Sequence, residues 1–121
     1  MTYFIQELQN YLIDKKLIES DSFIEFYDSE DALTCLSVYD SNPEEGKYSV
    51  QILRRDISPK ACMDTLFKVY NHFFDFRQPK PVYKLINYNK CLFKPLSKPL
   101  FLKKENGFFY YTFNIEVWTQ Q

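Results

Sequence analysis

The stretch Tyr48-Ser49-Val50-Gln51-Ile52-Leu53-Arg54-Arg55-Asp56-Ile57-Ser58-Pro59-Lys60-Ala61-Cys62-Met63 changes period in its middle. Tyr48, Val50 and Ile52 alternate with Ser49 and Gln51, the two-residue period of a strand with one buried face. After Ser58 the apolar positions become Cys62, Met63, Leu66, Val69, Tyr70 and Phe73, the three-and-four spacing of a helix with one covered stripe. Ser58-Pro59 is the joint. A serine N-cap accepts from the orphan N–H groups of a first turn, and proline at the first helical position has no N–H to leave unsatisfied. The pattern predicts a strand over 48–56 and a helix over 59–75, with Lys60, Asp64, Lys68, Asn71 and Asp75 toward solvent. Gln78-Pro79-Lys80-Pro81 then bars continuation of the helix.

Upstream, Leu33 to Tyr39 is a β-prone run, and the turn-rich Asp40-Ser41-Asn42-Pro43-Glu44-Glu45-Gly46-Lys47 joins it to the 48–56 strand as a hairpin. Phe23 to Tyr27 reads as another short strand. Phe4, Ile5, Leu8, Tyr11 and Leu12 mark a helix over about 3–16, with Thr2 as N-cap and Lys15 and Lys16 at the dipole-favoured end. Downstream come β stretches at Val82 to Tyr88, Cys91 to Phe93, Leu100 to Lys103 and Phe108 to Thr119, with Pro95 and Pro99 confining the middle pieces to edges or irregular backbone. In the last stretch Phe109, Tyr111, Phe113, Ile115 and Val117 share one face, and Glu105-Asn106-Gly107 makes the turn before it. The expectation is an α+β fold of order α-β-β-β-α-β-β-β, a largely antiparallel sheet with two main helices packed on one face and Leu66 and Phe113 in the shared core. A chain of 121 residues has room for one core, so residues 1–121 are expected to form a single domain.

Composition excludes more than it assigns. Gly46 and Gly107 are the two glycines, which leaves no dinucleotide fingerprint and no phosphate loop. One histidine, His72, and three cysteines without a CxxC pair are poor material for a metal centre, so no metal and no cofactor is expected. His72 has no serine or cysteine placed by sequence to use it, Cys35, Cys62 and Cys91 sit within apolar elements, and Asp28-Ser29-Glu30-Asp31 lacks the glycine and spacing of a calcium loop. No catalytic residue is assigned and no enzymatic activity is expected. The opening Met1-Thr2-Tyr3-Phe4 is not followed by the basic and then apolar regions of a secretory leader, and no window suits a membrane span; the expectation is a reduced, cytoplasmic origin with no membrane partner.

Charge is the informative feature. The net charge of −1 conceals 6 Lys or Arg against 12 Asp or Glu in residues 1–60, and 9 against 4 in residues 61–121. Glu19, Asp21, Glu25, Asp28, Glu30 and Asp31 concentrate the acidic share, and Lys80, Lys84, Lys90, Lys94, Lys98, Lys103 and Lys104 the basic share. Two solvated faces are the ordinary reading; complementary patches that meet between copies are the sharper one. Aromatics interleaved with lysine over 82–111 suit base stacking, but the alternation of the last strand places its aromatics on a buried face and the pI is about 5.8. No direct nucleic-acid recognition is expected.

Taken whole, the chain resembles the minor capsid or tail-terminator (tail-completion) proteins of tailed phages and prophages of Gram-positive hosts. The resemblance rests on the short N-terminal helix, the Leu33 to Tyr39 strand, Tyr48-Ser49-Val50-Gln51-Ile52-Leu53-Arg54-Arg55 before a long helix, and Pro99-Leu100-Phe101-Leu102 followed by Glu105-Asn106-Gly107 and a strand ending Phe113-Asn114-Ile115-Glu116-Val117. Pro95 and the lysine-rich segment from Lys80 to Lys104 depart from the family pattern. The resemblance implies a structural virion protein, made in the bacterial host cytoplasm and located at the head–tail interface. Such proteins form a ring, usually of six copies, that caps the tail tube, terminates its polymerisation and joins the tail to the head. The implied partners are other copies of the chain, the tail tube protein and a head-completion or connector protein. Our own candidate subunit contacts are Glu25, Asp28, Glu30 and Asp31 on one side and Lys90, Lys94 and Lys98 on the other, since a closed ring joins one patch to a different patch. The alternative is a small monomeric protein-binding or regulatory module of prophage or host, without catalysis.

Overall fold

The computed structural model describes residues 4–27, 29–74, 83–85 and 88–120. Helix α1 spans Phe4–Asp14, followed by β1 (Phe23–Ile24), β2 (Leu33–Asn42), β3 (Lys47–Asp56), helix α2 (Pro59–Phe73), β4 (Tyr83–Leu85), β5 (Tyr88–Pro95), β6 (Leu100–Glu105) and β7 (Phe108–Gln120). The fold is α+β, with a mostly antiparallel sheet and both helices on one face, as the periodicities predict. The three-residue β4 is a separate edge strand. Thr2, the α2 boundary at 75 and the 82 and 86–87 portions of the expected strands lie outside the described residues.

The seven strands form one sheet in the order β1-β2-β3-β7-β5-β4, with β6 also paired to β7. The long β7 pairs β3 along one side, from Lys47↔Trp118 to Asp56↔Phe109. Its other side is divided. Residues 115–120 pair with β5 and residues 108–112 with β6. At the changeover the Leu96 and Ser97 N–H groups donate to the Asn114 carbonyl, and Asn114 N–H donates to Ser97 Oγ. Pro95 and Pro99 bracket this irregular stretch, since neither can donate to a ladder.

On the helix-covered face, Leu36, Val50, Ile52, Phe113, Ile115 and Val117 pack with Leu8 and Leu12 of α1 and Leu66, Val69 and Phe73 of α2. Phe73 stacks on Phe93 of β5 at 4.1 Å between ring centroids, and Phe4 on Tyr48 at 4.2 Å. Ser58 is the N-cap: its Oγ accepts from Ala61 N–H. On the opposite face Leu33, Cys35, Leu53 and Tyr110 form a second, smaller cluster with Phe23, Tyr27 and Phe108 against it.

Three boundaries differ from expectation for identifiable physical reasons. The strand expected over Phe23 to Tyr27 stops at Ile24, because Glu25 turns into the left-handed region at φ 71° and its N–H donates to the Leu36 carbonyl at 2.7 Å. Its pairing with β2 is parallel. Strand β2 runs on through Asp40, Ser41 and Asn42, residues that read as turn but pair with Ser49, Tyr48 and Lys47. The turn itself closes at Gly46, at φ 70°, where the Thr119 N–H and Oγ1 both donate to the Gly46 carbonyl. A Cβ at Gly46 would collide with the Thr119 carbonyl, so glycine is required there. Lys16, at φ 59°, closes the first helical segment, so Lys15 and Lys16 lie just beyond α1 and not within its last turn.

Candidate functional site

The topology converts charge order along the chain into charge position on the sheet. Strands β1 and β2, which frame the acidic segment, lie on one side of the sheet, and β5 and β6, which carry the lysines, lie on the other side, where β4 edges β5. From β2 to β5 there are three inter-strand steps, about 14 Å in all. That exceeds the Debye length of about 8 Å at physiological ionic strength. Within one chain the two charge sets are therefore largely screened from each other, and each remains available to a second molecule.

The acidic edge is built on Arg55. Strand alternation sends Arg55 to the face opposite the helices, where its guanidinium sits 4.9 Å from the Tyr27 ring centre and 4.8 Å from that of Phe108. Arg55 Nη2 donates to the carbonyls of Ser29 and Asp31, each at 2.6 Å, and Nε donates to Asp31 O at 3.1 Å. The residue is 6% exposed. Because the loop is held through main-chain carbonyls, the Glu30 and Asp31 side chains stay at the exposed surface. Glu25 is also exposed, and its Oε1 accepts the Val38 N–H at 3.3 Å on the outer side of β2. Asp28 lies outside the described residues.

The basic edge has a different construction. Cys91 and Phe93 of β5 point into the main core, so Lys90, Leu92 and Lys94 point to the uncovered face, and both lysines are exposed. Lys98, also exposed, sits in the irregular link where β7 changes partner. Leu92 lies opposite Trp118 in register, and the two line a shallow depression with Lys90, Thr119 and Gln120. Lys47 lies over the Trp118 ring at 5.4 Å and pairs with Glu116 at 3.7 Å. The structure thus places Glu25, Glu30 and Asp31 toward the β1–β2 side of the sheet and Lys90, Lys94 and Lys98 on the β5–β6 side.

Glu19 does not belong with the acidic edge. Its Oε2 pairs with Arg54 Nη1 at 2.6 Å, and its Oε1 accepts the Thr34 N–H at 2.9 Å. Arg54 Nη2 also pairs with Asp56 at 3.0 Å, and Asp56 Oδ1 accepts the Ser58 N–H. This network ties the chain after α1 to the start of α2, an internal use that a charge count does not reveal.

The groups weighed for chemistry have structural surroundings. His72 Nε2 lies 2.7 Å from Tyr11 Oη, joining α2 to α1. Burial first, and then the charge of Lys15, lowers the His72 pKa. All three cysteines are buried. Burial first, and then neighbouring carboxylates, pushes the Cys35 and Cys62 thiols up to about 11, so both remain protonated at neutral pH. Among the described residues no group of three or more metal-ligating side chains converges, and no helix is long and apolar enough to cross a membrane.

The chain matches no protein-family model and no curated protein sequence.

Proposed function

We propose that this protein is a phage tail terminator: a non-catalytic virion component that forms a ring, of six copies in the reading adopted here, on the end of the tail tube. In that position it stops tube polymerisation and joins the tail to the head. The observation that supports the reading is the placement of opposite charges on opposite sides of one sheet, beyond screening distance of each other. A ring uses head-to-tail contacts, so each copy needs two different and complementary edges. Glu25, Glu30 and Asp31 of one copy meet Lys90, Lys94 and Lys98 of the next.

Each exposed ion pair contributes little by itself. Association in free solution is accordingly weak, and the ring assembles where several copies are held together on the tube end. That order of events serves the role, since a ring that closed early would have no tube to cap. The test mixes the protein with purified tail tubes and inspects the ends by electron microscopy. Capped ends are expected for the native chain, and bare or overlong tubes for a variant with Lys90, Lys94 and Lys98 changed to glutamate. A variant that caps as well as the native chain removes the electrostatic contact; a native chain that ignores tube ends removes the tail-terminator reading and favours the monomeric binding module.

A further inference from the structure

We infer that β6 is a docking strand whose outer edge pairs, main chain to main chain, with the outer edge of β2 in a second copy of this chain. Strand β6 pairs with β7 along one side, and among the described residues no strand pairs with the other. All six of its residues are exposed, with Leu100, Phe101 and Leu102 at 48%, 52% and 47%. Three successive apolar side chains on an open edge are what soluble proteins ordinarily avoid, usually by placing a lysine or a proline within the strand. Here Pro99 precedes the strand, and the lysines turn back onto their own sheet. Lys103 lies over the Tyr110 ring at 4.7 Å and pairs with Glu105 at 2.9 Å, while Lys104 lies over Phe109 at 4.9 Å. Leu102 is bulged against β7, and the lysines stand at the ends of the apolar stretch and not within it.

The opposite edge of the same sheet identifies the occupant. Strand β2 runs from Leu33 to Asn42, but β1 pairs with Cys35 and Leu36 alone. Glu25 takes the Val38 N–H. Beyond it, Tyr39 is bulged out of the ladder, and Asp40 to Asn42 has β3 on one side and, among the described residues, no strand on the other. Tyr39 is exposed, and Asp40 with Glu44 and Glu45 of the following turn makes this end acidic. One edge therefore presents an apolar open strand flanked by Lys98, Lys103 and Lys104; the other presents an open strand flanked by carboxylates. Pairing β6 with another β6 would set lysines near lysines, whereas pairing β6 with β2 sets them near Asp40 and Glu45. Ladder hydrogen bonds then hold what the charges steer together, and one sheet continues from copy to copy. This rests on the ring proposal for closure of the ring and offsets neighbouring copies along the strand direction, so it is an alternative to the contact of Glu25, Glu30 and Asp31 with Lys90, Lys94 and Lys98.

The native cysteines are buried, so surface cysteines introduced by substitution report on their own contacts. Leu102→Cys and Ser41→Cys proteins are mixed at millimolar concentration and low salt and oxidised with diamide. A mixed dimer is expected as the main product, and a ladder of oligomers from a chain carrying both substitutions. No mixed dimer, or Leu102→Cys pairing with itself as readily, overturns the inference, the second result in favour of a two-fold β6 contact. In a second arm, Leu100→Lys with Leu102→Lys, checked for native circular dichroism, should weaken self-association at least about tenfold in sedimentation; unchanged association overturns the inference. Tail tubes separate the two proposals. If native protein caps tubes and the lysine variant caps equally well, strand pairing falls and the terminator reading stands; a mixed dimer from protein that ignores tubes gives the reverse.

Discussion

The two faces of the sheet are made by the same strands and are held in different ways. Under the helices, Leu36, Val50, Ile52, Phe113, Ile115 and Val117 are covered by side chains from both α1 and α2, and apolar area is distributed over four strands and two helices. On the other face Leu33, Cys35, Leu53 and Tyr110 are covered by Phe23, Tyr27, Phe108 and a loop tied down by one guanidinium. Toward Trp118 and Leu92, among the described residues, that face has no helix over it, and both residues are partly exposed. A distributed core loses stability in proportion to the area removed. A lid held by one planar fork is placed or lost as a unit, so the acidic edge can be disordered without unfolding the protein.

The largest effect should come from the helix-covered face. Phe113→Ala and Leu66→Ala each remove a fully buried side chain and are expected to cost about 2 to 5 kcal/mol, read from urea denaturation midpoints. A smaller loss from both would show that the two faces share the load. On the opposite face, Arg55→Met should cost about 2 kcal/mol, because it abandons hydrogen bonds from a charged donor to two carbonyls. Its signature is local: amide exchange should quicken over residues 29–33 while Val50 and Ile115 keep their protection. Equal loss of protection in α2 would break the distinction between the faces. Arg55→Lys should restore only part of the effect, since an ammonium lacks the fork that spans both carbonyls.

The smallest effect belongs to the α1–α2 contact. The His72 pKa is lower in the folded protein than its ordinary value of 6.5, so below that pH the unfolded chain takes up the proton more readily. The contribution to stability is present above pH 6.5 and is lost as pH falls through the folded value. Urea midpoints measured from pH 7.5 down to 5 should decline, and His72→Gln should flatten part of that decline. A variant with the native slope would assign the acid sensitivity to other groups.

Legibility in the sequence followed the range of the interaction. Helix α2 was readable because its cap, its proline and its stripe all lie within Ser58 to Phe73, and β7 because burial on one face imposes strict alternation. The early end of β1 was not readable, since φ 71° at Glu25 is fixed by bonds to Leu36 and Val38, more than ten residues away. The extension of β2 was hidden for a related reason: Asp40, Ser41 and Asn42 have turn chemistry but are drawn into the ladder by β3. Charge separation was visible as a difference between the halves of the chain, because β1 to β3 build one side of the sheet and β4 to β6 the other. The internal use of Glu19 and the anchoring role of Arg55 were not visible, because adjacent arginines point to opposite faces and only tertiary structure gives each its partners. The unalternating Leu100-Phe101-Leu102 was the one local sign of an edge with no core to cover.

Strand β7 occupies the middle of the sheet although β3, β5 and β6 all precede it in the chain. During synthesis these partners leave the ribosome before the strand that joins them, and translation at roughly 5 to 20 residues per second makes that interval long compared with hairpin formation. The β2–β3 hairpin and the β5 and β6 segments must wait with unfilled edges, and the helices have no complete surface to dock on. Folding is therefore gated by the arrival of residues 108–120, and a nascent chain stalled before them would present its sticky strands to chaperones and to other nascent copies.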